Sequence, residues 1–506
     1  MIPLRLGTDQ EFTTVRLYLK ACGFTLEAVL ERLRQTLPYD FTKFRPGPND
    51  SDPQDALELL IRVYVLGETT TPAQMAPFMP VEVCTAMYTL GLLSPYPDPP
   101  ARIYSEVALC PVEGVFVVSD RWSMPGNERF KLAPDSVYPA LTFNAQVFLN
   151  SILRQPCENL LDLCTGTGVA ALLAAAGFAQ HAVAADITER CAAFAEFNRR
   201  LNELPNLSVI QSDVYGALEG QTFDRILAHP PYVPVLRPKW VYHDGGADGE
   251  EITRRIVEGL PQFLRSGGTF QCHTMASDRD LPLEQRIRQW LGEAQTDFDV
   301  LLVIWSELDP AKFALATTVK EGSLEDLDTW KKLFEEWKVA KMLDVSITLV
   351  RHADACAPLD IRRLGGEGSR PPEVDWLLRW QRIAGLQQVH EALLGSHPVA
   401  AESLKFVVTH IIESNELRAE SCRASVQYPF HVDVEIDRWM PLLLAACSGQ
   451  RTGMELYELM RQQEHIPADT EPAKFAALLA ALVSSGFIVV PEFAPPAIVR
   501  AAAASQ

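Results

Sequence analysis

Asn159-Leu-Leu-Asp-Leu-Cys-Thr-Gly-Thr-Gly168 combines an apolar run typical of a buried strand with a glycine-rich turn, and an Ala-rich segment of helical character follows it. The glycines at positions 166 and 168 allow the backbone to turn sharply and to approach a ligand where a Cβ atom would clash. The free N–H groups in the first turn of the following helix can donate hydrogen bonds to that ligand. We therefore predict a strand, turn and helix that bind a ligand; the alternative is the same turn without any ligand.

Apolar runs and helical stretches alternate on both sides of this turn, from about residue 142 to residue 352. The strand candidates are residues 159–163, 182–185, 207–211, 223–228, 268–273, 298–304 and 344–350. An amphipathic helix is predicted over residues 323–341. Alternation of this kind predicts a parallel sheet covered by helices, an α/β fold with ligand sites at the carboxyl ends of its strands.

The charge at the end of the first strand bears on which ligand the turn binds. Gly166-x-Gly168-x-x-Ala171 satisfies the loose form of the dinucleotide fingerprint, so NAD binding by an oxidoreductase is one hypothesis. Asp162, however, ends the strand just before the glycines, where its carboxylate would repel a pyrophosphate and attract an ammonium group. This residue favours a ligand that carries a positive charge near the turn.

Two further carboxylates follow the next two strands. Asp186 ends the second strand, where it could accept hydrogen bonds from both hydroxyl groups of a ribose. Asp213 ends the third strand beside Val214, well placed to accept from an adenine amino group next to an apolar contact. Together the three carboxylates describe a pocket for a zwitterionic adenosine ligand, and S-adenosylmethionine (SAM) fits that description.

The fourth strand ends in His229-Pro-Pro-Tyr232. A Pro-Pro-aromatic turn is stiff, lacks two N–H donors and leaves carbonyl groups directed into the site. A planar amide or amino nitrogen needs such acceptors if its lone pair is to face the methyl group of SAM, and an aromatic ring can stack on a flat substrate. We predict that His229 and the Pro230 carbonyl orient the acceptor and that Tyr232 stacks on it; the alternative is a chance Pro-Pro loop.

These motifs together resemble class I SAM-dependent methyltransferases of the small methyltransferase domain type, which include protein glutamine N5-methyltransferases and nucleic-acid amino-methylating relatives. The resemblance covers about residues 140–275 and rests on the motifs quoted above together with Asn198 and Asp244-Gly-Gly-Ala-Asp-Gly249. It implies a Rossmann-like core with a mostly parallel seven-stranded sheet and SAM as the cofactor. The predicted cofactor contacts are Thr142, Asp162, Thr165, Gly166, Gly168, Asp186, Asp213, Val214 and His229.

The chain departs from the family at one position, because the family pattern begins with Asn, Asp or Ser where this chain has His229. A neutral histidine can accept a hydrogen bond through one ring nitrogen, or remove a proton, since its ordinary pKa near 6.5 is close to the working pH. It cannot imitate both ends of an amide. The departure leaves three alternatives: methylation of another nitrogen, a small-molecule N- or O-methyltransferase with His229 as base, and a scaffold that binds SAM without turnover.

Three more polar residues lie near the predicted site in the sequence. His243 and Asp244 either rim the acceptor pocket or cap their own loop, since an Asp-Gly-Gly run is an ordinary turn. His273, at the end of the fifth strand, is predicted to be a hydrogen-bonded histidine of the core.

The flanks of the core predict accessory modules, and the whole chain resembles a bacterial group of predicted methyltransferases of similar length with such modules. Residues 1–135 are predicted as a helical, winged-helix-like module, 136–360 as the methyltransferase domain and 370–495 as an α+β or winged-helix-like module. In the first module, helices are predicted at 56–66, 72–78 and 81–92 and strands at 102–110 and 114–119. In the last, helices are predicted at 376–386, 439–447, 454–462 and 473–485 and strands at 425–436 and 487–490. A Pro-rich linker is predicted over 37–55 and a disordered tail from residue 500.

The overall charge restricts the choice of acceptor. The 506 residues include 45 Lys and Arg against 65 Asp and Glu, which gives a net charge of −20. That balance argues against a broad electrostatic grip on naked DNA or RNA, whose binding depends on cationic contacts to phosphate. Modules of this size suggest a macromolecular acceptor, a protein side chain or an RNA base, rather than a metabolite, and the charge favours protein or nucleic acid inside a complex. The sequence leaves the oligomeric state open.

The cysteines and the hydropathy indicate the compartment. The ten cysteines are scattered, without the spacing of zinc ligands, so we predict no metal site and reduced thiols in a cytoplasmic protein. The N-terminus lacks a basic stretch followed by an apolar core, which predicts no secretory signal. No apolar run reaches about 18 residues, which predicts no membrane span.

Overall fold

The chain folds into two compact units in a computed structural model, which describes residues 2–36, 51–96, 102–121, 133–321, 324–366, 368–413 and 415–494. The first unit comprises Met1–Phe298, Asp309–Met342 and Ser346–Cys356, and the second comprises Asp299–Leu308, Leu343–Val345 and Ala357–Gln506. Most of the predicted linker, 37–50, and the tail from residue 500 lie outside the described residues. Among the helices that are described, none combines the length and the apolar character that a membrane span requires.

The N-terminal region of the first unit contains short helices followed by short strands. Its elements are α1 (Asp9–Ala21), α2 (Leu26–Leu33), α3 (Ala56–Leu60), α4 (Pro72–Met75), α5 (Val81–Leu90), β1 (Ser94–Pro95), β2 (Ile103–Tyr104), β3 (Val107–Val112) and β4 (Val115–Asp120). The predicted helices are confirmed, with α3 continuing as a π-helix over Ile61–Leu66. The predicted strand at 102–110 is wrong as a single element, because β2 and β3 are separate strands with different partners. The winged-helix-like character of this region and the division into three modules stay predictions.

The rest of the first unit alternates helices with strands, as the sequence predicted. The elements in chain order are α6 (Phe143–Ser151), β5 (Cys157–Leu163), α7 (Val169–Gly177), β6 (Ala179–Asp186), α8 (Glu189–Leu201), β7 (Leu207–Gln211), β8 (Phe223–Ala228), α9 (Glu251–Phe263), β9 (Leu264–Asp278), α10 (Leu283–Leu291), β10 (Phe298–Leu308), α11 (Pro310–Glu321), α12 (Leu324–Glu336) and β11 (Lys341–Arg351). The strands of the first unit lie in the order β7-β6-β5-β8-β9-β11. Most of β10 belongs to the second unit. The Rossmann-like α/β class is therefore confirmed.

The order of the parallel strands reverses beside β5, and this reversal positions the site. β6 and β7 follow on one side of β5, whereas β8 and β9 lie on the other, and all four contacts are parallel. Leu163, the last residue of β5, is level with both Ala185 of β6 and Ala228 of β8. The carboxyl ends of these strands thus meet at one edge, and a crevice outside such a switch point is where α/β sheets bind ligands.

Asn198 of α8 ties the hairpin β3–β4 to the glycine turn. Its side chain is fully buried. Its Nδ2 donates to the carbonyl oxygens of Val118 and Thr167, both at 2.9 Å, and its Oδ1 accepts from the N–H of Val118 at 2.8 Å. This residue of the family pattern therefore acts by supporting the turn from behind.

We expect Asn198→Ala to lower the free energy of unfolding of the first unit by about 2–3 kcal/mol, because it leaves buried backbone groups without partners. In calorimetry the corresponding Tm falls by about 5 °C. Asn150→Ala, at an exposed position of α6, is the matched control and should leave the Tm unchanged. An unchanged Tm in Asn198→Ala would contradict the supporting role.

The second unit is built from a mixed sheet and a group of helices. Its elements after β10 and β11 are β12 (Asp360–Gly365), α13 (Pro371–Ile383), α14 (Gln387–Gly395), β13 (Val399–Ala400), β14 (Lys405–Glu413), β15 (Glu416–Val426), β16 (Phe430–Glu435), α15 (Met440–Ala446), α16 (Gly453–Gln462), α17 (Pro472–Ser484) and β17 (Ile488–Val489). The larger sheet of this unit has the order β10-β12-β16-β15-β14. The predicted strand at 425–436 is wrong as one element, because a turn at Tyr428-Pro429 separates β15 from the antiparallel β16.

Candidate active site

A cavity of about 670 Å³ opens at the carboxyl ends of β5, β6 and β8. Its volume lies within the range of about 300–1,000 Å³ that is usual for cofactor and small-molecule sites. Most of the predicted site residues line it, namely Asp162, Thr165, Gly166, Asp186, Asp213, Val214, His229, Pro230 and Tyr232. The structure thus brings together side chains from four strand ends that are distant in the sequence.

The glycine turn leaves β5 through a series of left-handed backbone conformations. Cys164, Gly166 and Gly168 have φ values of 54°, 56° and 83°. Apart from the adjoining residues of the turn, no heavy atom of the described residues lies within 4 Å of the place where a Cβ of Gly166 would stand, so this side of the turn faces open space. A Cβ of Gly168 would instead stand 3.1 Å from the Cβ of Ala195. The lack of a side chain at Gly168 therefore allows the helices α7 and α8 to approach closely. The first glycine therefore leaves room for a ligand, and the second serves packing.

Asp162 lies at the bottom of the cavity and is almost fully buried. Its Oδ2 accepts hydrogen bonds from the Thr165 hydroxyl and from the N–H of Ala171, the latter at 3.2 Å. Its Oδ1 accepts from none of the described residues. Burial raises the pKa of this carboxyl to about 7, against the opposing effect of the two hydrogen bonds. A buried carboxyl with a vacant acceptor oxygen is a receptor for a cationic donor.

Asp186 ends β6 on the next side of the cavity. Its Oδ2 accepts from the N–H of Gly166 at 2.9 Å, and its Oδ1 accepts from the N–H of Thr188 at 3.1 Å. These bonds fix the carboxylate against the glycine turn, while burial raises its pKa. Oδ1 also accepts from the Thr188 hydroxyl at 3.4 Å, whereas Oδ2 retains a second lone pair for a hydroxyl donor.

Asp213 and Val214 form the outer part of the adjoining wall. The Asp213 side chain is about half exposed and pairs with Arg255 at 2.9 Å. Val214 is buried and has a φ of 49°, a conformation that β-branched residues rarely adopt, and its carbonyl accepts from the Ser212 hydroxyl at 2.9 Å. Such strain is characteristic of functional sites. The buried Val214 side chain is therefore held more firmly than the half-exposed Asp213 side chain beside it.

His229 lies on the opposite wall, partly buried in an aromatic environment. Its ring stacks on Phe148 with centroids 5.0 Å apart and lies 5.7 Å from the rings of Tyr232 and His273. Its Nε2 is buried without a hydrogen-bond partner among the described residues. Burial lowers the pKa of His229 to about 4, so the imidazole is neutral at pH 7. The imidazole can form a hydrogen bond with the molecule that receives the methyl group, but it is a weak base.

The Pro-Pro-Tyr turn is held in place from two sides. The Tyr232 hydroxyl accepts from Nδ2 of Asn144 at 2.7 Å, which fixes the ring at the cavity wall. The backbone of the turn lies against the glycines of the 244–249 motif: Val233 N–H donates to the His243 carbonyl at 3.0 Å, and Gly245 N–H donates to the Val233 carbonyl at 2.9 Å. A Cβ on Gly245 would stand 2.6 Å from Cα of Tyr232. The motif thus sets the position of the turn.

We expect Gly245→Ala to displace the Pro-Pro-Tyr turn, because backbone atoms cannot yield to a Cβ at this distance. Methyl transfer should fall on the order of tenfold or more through misplacement of the acceptor. Affinity for the cofactor product S-adenosylhomocysteine (SAH) should stay within about threefold, since the carboxylates lie on other strands. Gly177→Ala is the control, because no atom lies within 4 Å of its Cβ position. Equal activity of the two variants would contradict this role for the motif.

His243 and Asp244 combine the two roles that the sequence left open. Both line the cavity. Asp244 also caps its loop, since its Oδ2 accepts from the N–H groups of Lys239 and Trp240 and its Oδ1 lies 2.8 Å from Nδ1 of His243. His273 is buried in the core, with its Nδ1 3.4 Å from the Ser346 hydroxyl, and it does not line the cavity.

Two predicted cofactor residues do not line the cavity. Gly168 lies behind the turn, as described above. Thr142 is buried, and its hydroxyl accepts from the N–H of Ala145 at 3.3 Å as the cap of α6. The requirement for a helix cap at this position explains a threonine without any ligand. We therefore include neither residue among the proposed cofactor contacts.

Several lining residues were not predicted from the sequence. Ile187 follows Asp186 and is half exposed, a position next to a strand-end carboxylate that the strand pattern could have indicated. An aromatic rim comes from two segments whose approach the sequence does not reveal. The rim consists of Tyr138, Trp240 and Tyr242, with Tyr138 stacked on Tyr242 at 5.5 Å. In the described part of the chain, no group of three or more His, Cys, Asp and Glu residues is placed to hold a metal ion.

Comparison with known proteins identifies the segment that builds this cavity. The family model "Methyltransferase small domain" matches residues 140–298. A putative protein N5-glutamine methyltransferase from Methanocaldococcus jannaschii is 31% identical over 149 residues, which cover 28% of this chain and 74% of that protein. A ribosomal protein uL3 glutamine methyltransferase from Bradyrhizobium diazoefficiens is 31% identical over 168 residues, 30% of this chain and 52% of that protein. A release factor glutamine methyltransferase from Cereibacter sphaeroides is 32% identical over 153 residues, 28% of this chain and 54% of that protein.

The chain thus spans about three quarters of the first relative and about half of the other two. A solved structure of a putative SAM-dependent methyltransferase from Streptococcus mutans has a TM-score of 0.28 at 14% identity, over 53% of this chain and 64% of that one. The matched segment coincides with the strands and turns around the cavity. On that ground the chain belongs to the small-domain family of class I, SAM-dependent methyltransferases.

Proposed function

We propose that this protein transfers the methyl group of SAM to a planar amide or amino nitrogen of a macromolecule, with a protein side chain as the preferred acceptor. The observation that supports this most is a neutral, partly buried His229 beside the Pro-Pro-Tyr turn, in the same cavity as Asp162 and Asp186. The cavity therefore combines a place for a cationic nucleoside with a place for a flat acceptor.

The residues present fit SAM. The vacant oxygen of Asp162 would accept from the ammonium group, and the lone pairs of Asp186 would accept from the ribose hydroxyls. Ile187 and Val214 would hold the adenine between apolar surfaces, and open space beside Gly166 allows the close approach that the turn requires. Bound SAM supplies an electrophilic methyl group on a sulfonium. Holding that group and the acceptor nitrogen in line is the main contribution of the protein.

The state of His229 favours nitrogen over oxygen as the acceptor atom. Methylation of a hydroxyl group requires removal of its proton, and an imidazole with a pKa of about 4 is poorly suited to remove it. A planar nitrogen needs hydrogen-bond acceptors for its N–H groups, and the Pro230 carbonyl and a neutral imidazole provide them. This argues against a small-molecule O-methyltransferase that uses His229 as base.

A protein acceptor is supported by the relatives and by charge. Two relatives are named as enzymes that act on glutamine of ribosomal protein uL3 and of a release factor. The net charge of −20 opposes binding to naked RNA. We therefore propose a glutamine or asparagine amide, or a similar planar nitrogen, presented by a protein.

SAH binding should depend on pH through Asp162, whose pKa is raised to about 7. Below that pKa the carboxyl is protonated and does not pair with an ammonium group, so the association constant should rise by up to about tenfold per pH unit from about pH 5 to about pH 7 and then level off. Calorimetric titration checks this result. Asp162→Asn is the control and should bind weakly with little dependence on pH. A constant affinity over this range in the unmodified protein would contradict the assignment.

Labelling with tritiated SAM tests the proposed reaction. A cell extract is labelled with the intact protein, with His229→Ala and with Asp162→Ala, and the product is treated with protease, nuclease or mild base. We expect a labelled protein band when the unmodified protein is added and none when either variant is added. The label should be stable to mild base, because an N-methyl amide is stable under these conditions whereas a methyl ester is hydrolysed. Label that is released by nuclease would overturn the protein acceptor, and label that remains in both variants would overturn the site.

A further inference from the structure

The strand β14 forms an exposed edge of the second unit. In the described part of the chain it is the last strand in the order β10-β12-β16-β15-β14, and β15 pairs with one side of it. All nine of its residues are exposed. In an antiparallel ladder about half of the N–H and C=O groups of such a strand point away from its neighbour. β14 therefore offers a row of backbone donors and acceptors to another strand.

This edge lacks the features that usually prevent pairing. Its interior, Phe406-Val-Val-Thr-His-Ile-Ile412, has no Lys, Arg, Asp, Glu or Pro, which are the residues that protect natural edges. Val407 is 59% exposed and Ile412 is 78% exposed. The one irregularity of the hairpin lies in β15, where Glu420 is the extra residue between the partners of Thr409 and His410, and it leaves β14 continuous. The strand has the composition of a pairing surface.

The sequence of β14 is complementary to itself in the antiparallel direction. With a two-fold axis at Thr409, all nine residues pair, and Lys405 at one end lies opposite Glu413 of the second copy, twice by symmetry. Val407 then lies opposite the second copy's Ile411, an apolar β-branched pair of the kind that stabilises sheets. A shift of the axis by one residue or more shortens the overlap and separates the charges. The centred register is therefore the favoured one.

We propose that β14 pairs with β14 of a second copy of this chain, in antiparallel register centred on Thr409, to form a dimer with a continuous sheet. Lys405 and Glu413 balance each other, so the large negative charge of the chain is not concentrated on this edge. A closed two-fold contact also uses up the edge on both copies, which limits the assembly to two. This inference does not depend on the proposed reaction.

Sedimentation of the full-length protein from about 1 to about 100 µM tests the association, because the fraction of chains in a dimer rises with protein concentration. We expect a monomer–dimer equilibrium for the unmodified chain. Val407→Glu combined with Ile411→Glu places like charges opposite each other twice in the dimer, whereas within the hairpin the two glutamates face Arg423 and Arg418, so the protein should be a monomer with unchanged Tm. A monomer throughout for the unmodified chain, or a dimer that survives the double substitution, would overturn the proposal.

A charge exchange tests the register. Lys405→Glu alone should weaken the dimer about tenfold, and Lys405→Glu with Glu413→Lys should restore it. Glu413 also pairs with Arg418 of its own hairpin at 2.6 Å, so Lys405→Glu is the cleaner single change. Failure of the double exchange to restore the dimer would overturn the register.

Cross-linking locates the axis. In a Cys356→Ser background, which removes the exposed cysteine, Thr409→Cys should form an intermolecular disulfide on oxidation, because residues at the axis lie directly opposite each other, about 4.5–5.5 Å apart at Cα. His410→Cys is the matched control, since its copies would lie about 8 Å apart, beyond disulfide reach. Equal cross-linking of both variants would overturn the position of the axis.

Discussion

His229→Phe is expected to lower kcat for methyl transfer on the order of 10³-fold, with SAH affinity within about threefold of the unmodified protein. Phenylalanine retains the ring that stacks on Phe148 at 5.0 Å, but it lacks both nitrogens. The acceptor nitrogen would then lose one of the two groups proposed to direct its lone pair, while the carboxylates proposed to hold SAM are untouched. Steady-state transfer to the labelled protein acceptor, together with calorimetric titration of SAH, checks both quantities.

His229→Asn is the matched control, because it restores the amide of the family pattern. It should retain transfer to an amide acceptor, whereas a histidine that acts as base would lose activity in both variants. The pH profile separates the same two roles. With a pKa of about 4, His229 remains neutral from about pH 5.5 to about pH 8 and its own titration produces no step in kcat there. A step in kcat near pH 6.5 that disappears in His229→Asn would contradict the assignment as hydrogen-bond partner.

Asp186→Ala is expected to raise the Kd of SAH about 10²-fold. The substitution removes the acceptors for the ribose and releases the N–H of Gly166, which Asp186 holds at 2.9 Å. Loss of two charge-assisted hydrogen bonds accounts for a change of about 3 kcal/mol. Asp186→Asn keeps one oxygen, so its Kd for SAH should lie between those of the unmodified protein and Asp186→Ala. An intermediate Kd would show that the loss in Asp186→Ala does not come from general unfolding.

Asp213→Ala is the comparison within the same site. Its side chain is half exposed and already paired with Arg255, so its removal should change the Kd by no more than about threefold. Calorimetric titration of SAH into the three variants checks this order. Similar losses for Asp186→Ala and Asp213→Ala would mean that burial does not distinguish the two carboxylates.

The sequence predicted which strand-end residues lie together, because local pattern and tertiary position agree there. The strands at 207–211 and 223–228 coincide with β7 and β8. Since parallel strands bring their carboxyl ends to one edge, the carboxylates at three strand ends and His229 at the fourth were expected to lie together, and they line one cavity. Once the strands are located in the sequence, the position of a residue at a strand end is known as well.

Other features depend on contacts between distant segments and were not predictable. The low pKa of His229 arises from burial among Phe148, Tyr232 and His273, which belong to three separate elements. Thr142 was predicted to contact the cofactor, but its hydroxyl caps a helix, and the sequence does not give the direction of the side chain. The hairpin β14–β15 was missed although 405–413 is strongly apolar and β-branched, because the predicted strand was placed across the turn at 428–429 instead.

A crystal structure of the protein with SAH bound tests the central claim most directly. The account predicts SAH in the cavity, with its amino group within hydrogen-bond distance of Asp162, its ribose hydroxyls on Asp186, and its sulfur directed toward the space between His229 and Tyr232. SAH bound elsewhere, or in this cavity with its ribose away from Asp186, would contradict it.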